Sequence, residues 1–232
     1  LDNPTHFFSR RRPRDTSAAS VAVIGLGRFG GALATELTRS GTEVLGIDTD
    51  EDIVQSLNGV LTHVVRADST KQAALEQLGV LDFDRIVVGI GSDIQASILT
   101  TSLLKKMGAR SIWAKAISEQ HGLILDQLGI EHVIFPEADM GRRIAHLVRG
   151  AMLDYVEFDR DLVVAKTVAP SEMAGLTLEQ SAVRRRFGVT VVKIKGSDGE
   201  WHAAGASSVV GEGDLLIVIG PVEKTERFAA LA

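Results

Sequence analysis

Three glycines at positions 25, 27 and 30, in the run Gly-Leu-Gly-Arg-Phe-Gly, are spaced to hold a phosphate. Gly25 makes the tight turn out of a strand, Gly27 lets the backbone approach an anion, and Gly30 lets the next helix pack closely on that strand. The helix N-terminus adds unpaired N–H groups and the positive end of a dipole. Asp48 lies 18 residues beyond Gly30, at the end of a second apolar run, where a ribose-binding carboxylate belongs. A bare glycine-rich turn is the plain alternative, but the strand–turn–helix context and Asp48 together favour an adenine nucleotide. Thr49 and Asp50 follow Asp48, so no base stands ready for a 2′-phosphate and NADP is disfavoured. Arg28 lies within the loop, where its guanidinium could reach a further phosphate, a neighbouring subunit or only solvent. Asp68, in the run 67–70, either accepts from an adenine amine or caps the helix that begins near Lys71, and both readings stay open.

No residue pattern completes a catalytic set. His6, His63, His121, His132, His146 and His202 are scattered singly, without catalytic or metal-ligand spacing to an acid. The chain has no cysteine, no Gly-X-Ser-X-Gly elbow, no His-Glu-X-X-His helix and no P-loop lysine. The nucleotide therefore reads as a ligand and not a reactant.

The elements that must position these residues follow from hydrophobic periodicity. Short apolar strands at 21–24, 43–47, 62–66, 85–88, 111–115 and 132–134 alternate with a helical segment that follows the first strand and runs to Ser40, and with others at 50–57, 71–78, 94–107 and 119–128. Six strands and five helices in strict alternation imply an α/β, Rossmann-type parallel six-stranded sheet with right-handed crossovers. A crossover helix is expected over 137–153, leading to a small C-terminal α+β domain at 154–232. In that domain strands are expected at 161–168, 189–195 and 215–219, with a helix over 177–187 and a short one from Val222. The nucleotide domain then spans 21–136. Residues 1–20 carry Arg10, Arg11, Arg12 and Arg14 without apolar periodicity and read as a flexible basic tail.

Composition bounds the function classes. The 232 residues are 45% hydrophobic with a formal net charge of -5, an ordinary globular balance that argues against a phosphate-neutralising nucleic-acid binder. Aromatic residues are only 5%, too few for base-stacking platforms. Mean hydropathy is +0.14, yet no apolar run approaches the roughly 18 residues of a membrane span. The missing cysteines fit a reducing cytoplasm.

Six segments in order then carry a resemblance: GLGRFGG at 25–31, Asp48, 67–70, GSDIQAS at 91–97, IWAKA at 112–116 and FPEADMG at 135–141. Together they resemble the RCK/KTN (regulator of potassium conductance) family, in its KtrA/KtrC-type, TrkA-like branch. The resemblance implies a cytoplasmic ring of eight subunits, built of dimers and peripheral to the inner face of the membrane. Its partner would be a KtrB-, KtrD- or TrkH-like potassium channel subunit, gated as ATP and ADP compete for the Rossmann cleft. It places Phe29, Gly91 and Lys115 in the nucleotide site beside the glycines, gives Arg28 the terminal phosphate, and gives Glu137 a divalent cation, Mg²⁺ or Ca²⁺. It also implies cyclic di-AMP at the C-terminal domain, with Arg184 holding a phosphate and Val192 and Ile194 lining the pocket or the core. The rival reading is a small NAD(H)-dependent oxidoreductase or redox sensor, since NADH suits Asp48 equally. Arg28 and Glu137 separate the two, because a dinucleotide offers them no terminal phosphate. A DNA-binding redox sensor using the basic tail has no helix-turn-helix segment to support it.

Overall fold

The computed structural model describes residues 20–148, 152–159 and 161–232, so the expected basic tail lies outside the described residues but for Ser20. Strand β1 (Ser20–Ile24) is buried from Val21 onward, as an all-apolar strand with cover on both faces must be. Its neighbours are β2 (Glu43–Asp48) and β4 (Arg85–Val88), both parallel to it. With β3 (His63–Arg66), β5 (Ile112–Lys115) and β6 (His132–Ile134), they form a six-stranded sheet in the order β3-β2-β1-β4-β5-β6. This is the doubly wound order, with its switch point between β1 and β4.

Helices α1 (Arg28–Arg39), α2 (Glu51–Leu57), α3 (Gln72–Gln77), α4 (Ile94–Lys106) and α5 (Glu119–Gln127) make the crossovers. Two cores result, one per sheet face. One gathers Val21, Val23, Leu26, Ala34, Val44, Leu61 and Val87, and the other is built around Ile24, Leu45, Ile47, Leu75, Ile86, Leu104 and Leu125. Each fully buried Leu or Ile contributes roughly 1.5–3 kcal/mol, so the glycine loop hangs from a stiff frame. Caps fix the helix starts nearest the loop: Asp50 accepts from the Asp52 and Ile53 amides, and Asp93 from that of Ala96.

Helix α6 (Pro136–Val148) opens with proline at its first position, where the missing N–H costs nothing. Met152 and Leu153 lie outside the helix, which therefore covers less of 137–153 than its apolar pattern suggests. The chain divides into two units between Glu137 and Ala138. The second holds an antiparallel five-stranded sheet in the order β10-β9-β11-β8-β7. Its strands are β7 (Asp154–Asp159), β8 (Leu162–Val168), β9 (Thr190–Lys195), β10 (Trp201–Ala203) and β11 (Leu215–Gly220). Helix α9 (Val222–Ala229) sends Phe228 into the core with Val163, Met173, Leu216 and Val218.

Two expectations fail here for physical reasons. The helix expected over 177–187 is broken into α7 (Leu178–Ser181) and α8 (Val183–Phe187) at Ala182, which adopts φ +49. Ser181 and Val183 are both buried, and residues two apart point about 200° from one another on a continuous helix. The break lets both turn inward. Strands β7 and β10 have no counterpart in the sequence reading. Val156 and Phe158 are exposed on β7, so it lacks the apolar-in, polar-out alternation, and β10 has three residues.

Candidate nucleotide-binding site

The glycine loop is dictated by sterics. Gly25 has φ +88, and its amide donates to the Ile47 carbonyl at 2.8 Å. A Cβ on Gly30 would stand 1.8 Å from the Gly25 carbonyl oxygen, so the third glycine permits the turn at all. A Cβ on Gly27 would meet nothing within 4 Å. The middle glycine is therefore not required by the protein's own packing, as expected where the backbone is kept bare for a ligand. Gly27 is also the N-cap of α1, with no side-chain cap and no acid in the first turn. The first-turn amides of α1 are left for an external anion.

Asp48 ends β2 with both carboxylate oxygens engaged. Oδ2 accepts from the Leu26 amide at 2.7 Å and Oδ1 from the Asp50 amide at 2.9 Å. The expected ribose ligand thus also braces the glycine loop, and each oxygen keeps a lone pair for a hydroxyl. The β2–β3 register pairs Asp48 with Arg66, a residue the sequence reading passed over. Arg66 donates to the Thr49 carbonyl at 3.0 Å and to Glu51 at 3.1 Å, so the base beside Asp48 is already neutralised. Only the register of two parallel strands could have revealed it.

Across the switch point, Lys115 at the end of β5 is buried, with its side chain 9% exposed. Its ammonium donates to Glu137 Oε1 at 2.5 Å and lies 5.7 Å from the centre of the Phe29 ring. Gly91 makes room for it, since a Cβ there would sit 3.0 Å from Nζ. Glu137, on the first turn of α6, is 60% exposed. The Lys115 hydrogen bond holds its carboxyl below the usual range, and the Arg28 charge adds to that effect. The Arg28 side chain is exposed and makes no hydrogen bond or ion pair with another described residue. Phe29, Gly91, Lys115, Glu137 and Arg28 thus converge from four segments of the chain.

Asp68 settles one open alternative. Its Oδ1 accepts from the Thr70 amide at 2.9 Å and hydroxyl at 2.6 Å, which lowers its pKa, and it caps no helix. Below it lie hydroxyls the sequence reading did not single out: Ser69 bonds Thr100 at 2.9 Å, and buried Ser97 and Thr101 on α4 are unpaired. For a divalent cation the donor set is thin. Among the described residues no three His, Cys, Asp or Glu side chains cluster as metal ligands, at Glu137 or elsewhere.

In the second unit, Arg186 is committed to Glu172 at 2.8 Å, whereas Arg184 is exposed without a described partner. Val192 is half-buried and Ile194 belongs to the core cluster.

A family model for the TrkA-N domain matches residues 21–136. Ktr system potassium uptake protein C of Bacillus subtilis is 41% identical over 208 residues, covering 89% of this chain and 94% of that one. Ktr system potassium uptake protein A of Vibrio alginolyticus is 35% identical over 210 residues, covering 90% and 96%. Among solved structures, the GsuK RCK domain superposes with a TM-score of 0.52 at 25% identity, covering 92% of this chain and 46% of that one. The GsuK channel bound to NAD gives 0.62 at 18% identity, covering 94% and 40%, a likeness of fold. The chain thus spans less than half of either GsuK chain but nearly the whole of its Ktr relatives. With the glycine loop, Asp48 and Lys115 all inside residues 21–136, the chain belongs to the TrkA-N (RCK) family, alongside the Ktr system potassium uptake proteins A and C.

Proposed function

We propose that this chain is a non-enzymatic regulatory subunit of a membrane potassium-uptake system, which senses adenine nucleotides in its first unit. The relatives named for potassium uptake, matched over nearly their full length, support the transport role. One observation carries the nucleotide role: the buried Lys115 ammonium lies in the same cluster as Arg28 and Phe29, at the uncapped start of α1. Lysine has three donors, and Glu137 takes one. The remainder, with the first-turn amides of α1, suits phosphate oxygens.

In this reading Gly27 exposes backbone to the phosphates, Asp48 accepts from ribose hydroxyls, and Asp68 offers an adenine amine its Oδ2, which the Lys71 ammonium approaches only at 3.9 Å. Lys115 holds an inner phosphate, and Arg28 reaches the terminal one that distinguishes ATP from ADP. A divalent cation at Glu137 would draw its other oxygens from the phosphates or from a second subunit, because hard cations want six or more. Cyclic di-AMP is proposed for the second unit, resting on Arg184 and Val192; Ile194 contributes packing there. Function in a ring of eight on the cytoplasmic face of a channel completes the proposal. Among the described residues no helix is long and apolar enough to cross a membrane.

The test is calorimetry with ATP, ADP, NAD⁺, NADH and cyclic di-AMP, with and without Mg²⁺, alongside light-scattering mass. The proposal expects ATP and ADP to bind and the mass to exceed a dimer. Tighter NADH than ATP binding would favour the redox-sensor reading, and a stable monomer would remove the ring.

A further inference from the structure

The charge of Arg66 is already answered, but its faces are not. Its Nε donates to the Thr49 carbonyl at 3.0 Å and its Nη1 to Glu51 Oε2 at 3.1 Å. Every N–H of a guanidinium lies in the guanidinium plane, so both bonds hold the rim of that plane and neither covers a face. The side chain remains 61% exposed although two anchors on the β2–α2 turn fix it. An unanchored arginine would lose several rotamers in lying flat against a ligand, and here much of that ordering is already done.

The place of this plane decides what it can meet. The β2–β3 register sets Arg66 beside Asp48, and the Ala67 amide then donates to the Asp48 carbonyl at 2.9 Å. Asp68 follows directly along the chain. Arg66 thus stands between the carboxylate read as the ribose ligand and the one read as the acceptor of the adenine amine. A base joined to that ribose and reaching that amine acceptor has to pass over this strand end. Resting on the nucleotide reading above, we propose that the pinned guanidinium of Arg66 is the shelf on which the adenine ring stacks. Its pairing with Glu51 suits that task. A stacked purine needs a flat, polarisable and weakly hydrated surface, whereas a 2′-phosphate would need the charge unshared. Arg66 therefore contributes to recognition of the base, and Asp48 and Asp68 hold its two ends.

Substitution separates face from charge. Arg66→Lys keeps the charge and loses the plane, whereas Arg66→Trp and Arg66→Tyr lose the charge and the Thr49 anchor and keep a plane. In calorimetric titrations Arg66→Lys should weaken ADP about 3- to 30-fold, the strength of one cation–π contact. At least one of the two aromatic variants should bind ADP within about 3-fold of wild type or tighter, because base–aromatic stacking replaces the guanidinium. Unchanged ADP binding by Arg66→Lys would overturn the shelf. Equal loss in the lysine and both aromatic variants would also overturn it, and would indicate that Arg66 only braces the turn. Tighter binding of adenosine 2′,5′-bisphosphate than of AMP by the wild type, lost in the aromatic variants, would make Arg66 a 2′-phosphate ligand instead. Failure of the wild type to bind ADP or ATP at all would overturn the nucleotide reading itself, and the shelf with it.

Discussion

Asp48 stands where a ribose ligand is expected, yet both of its oxygens hold backbone amides, and substitution can separate the two tasks. Leu26 is 3% exposed, so its amide has no access to water if the 2.7 Å bond to Oδ2 is lost. The Asp50 amide, at 2.9 Å from Oδ1, is exposed and can turn to solvent. In Asp48→Asn the amide oxygen keeps Leu26 and the NH₂ faces Asp50, so one exposed bond and the charge assistance of the other are lost, about 1–2 kcal/mol. Asp48→Ala leaves the Leu26 donor buried and unpaired and removes both bonds, about 2–4 kcal/mol. At about 2–4 °C per kcal/mol for a chain of this size, Asn should lower the melting temperature by about 2–8 °C and Ala by about 4–16 °C. The measurement is calorimetric melting in nucleotide-free buffer, since a purely ligand-binding carboxylate would leave that transition unmoved. Melting of Asp48→Ala within about 1 °C of wild type would refute the bracing role and return Asp48 to ribose alone.

Further outcomes follow from other parts of the molecule. Arg28→Ala should weaken ATP about 10-fold or more and ADP only slightly, at the strength of a charge-assisted bond to one phosphate; equal losses in a calorimetric titration would remove Arg28 from the terminal phosphate. Ala182→Gly, which relieves a left-handed alanine at φ +49, should stabilise the second unit by about 0.5–1 kcal/mol in urea denaturation, after the added chain entropy of glycine is subtracted; a destabilised variant would show that the break at this position is not strained. His121 is buried with both ring nitrogens unpaired, and burial lowers its pKa. The unfolded state then takes a proton that the folded one refuses, so its contribution is present above about pH 6.5 and is lost as pH falls toward the lowered value. His121→Leu should flatten the stability of the first unit between about pH 5 and 7, and an unchanged slope in chemical denaturation would exclude His121 as its source.

Part of this site was legible because local sterics alone dictate it. The three glycines carry their spacing in the sequence, and the 1.8 Å approach of a Gly30 Cβ to the Gly25 carbonyl shows why no other residue would serve. The six-stranded parallel sheet follows from the alternation of apolar runs and helices with right-handed crossovers, which leaves the strand order itself open. What could not be read depends on register and on distant pairs. Arg66 reaches the Asp48 turn only because β2 and β3 pair Asp48 with it, and no periodicity encodes that offset. Lys115 and Glu137 were each singled out, but their bond joins a strand end to a helix start 22 residues away. The break at Ala182 escaped because a local helical pattern yields to burial of two residues that one helix cannot turn inward together.

The two carboxylates of the site therefore divide its labour. Asp48 is fixed through both oxygens to backbone amides, which makes the glycine loop the same shape whatever lies against it. Glu137 is tied to one lysine and otherwise largely exposed to water, so it is the acid free to change partners. A ligand shifts a conformational equilibrium only through contacts that differ between states. Contacts to the braced loop differ little between states, so in the proposed reading the difference has to come from side chains free to move, Glu137 on the first turn of α6 and the exposed Arg28. In that reading the loop supplies the affinity of the site, and Glu137 and Arg28 supply its discrimination between ligands.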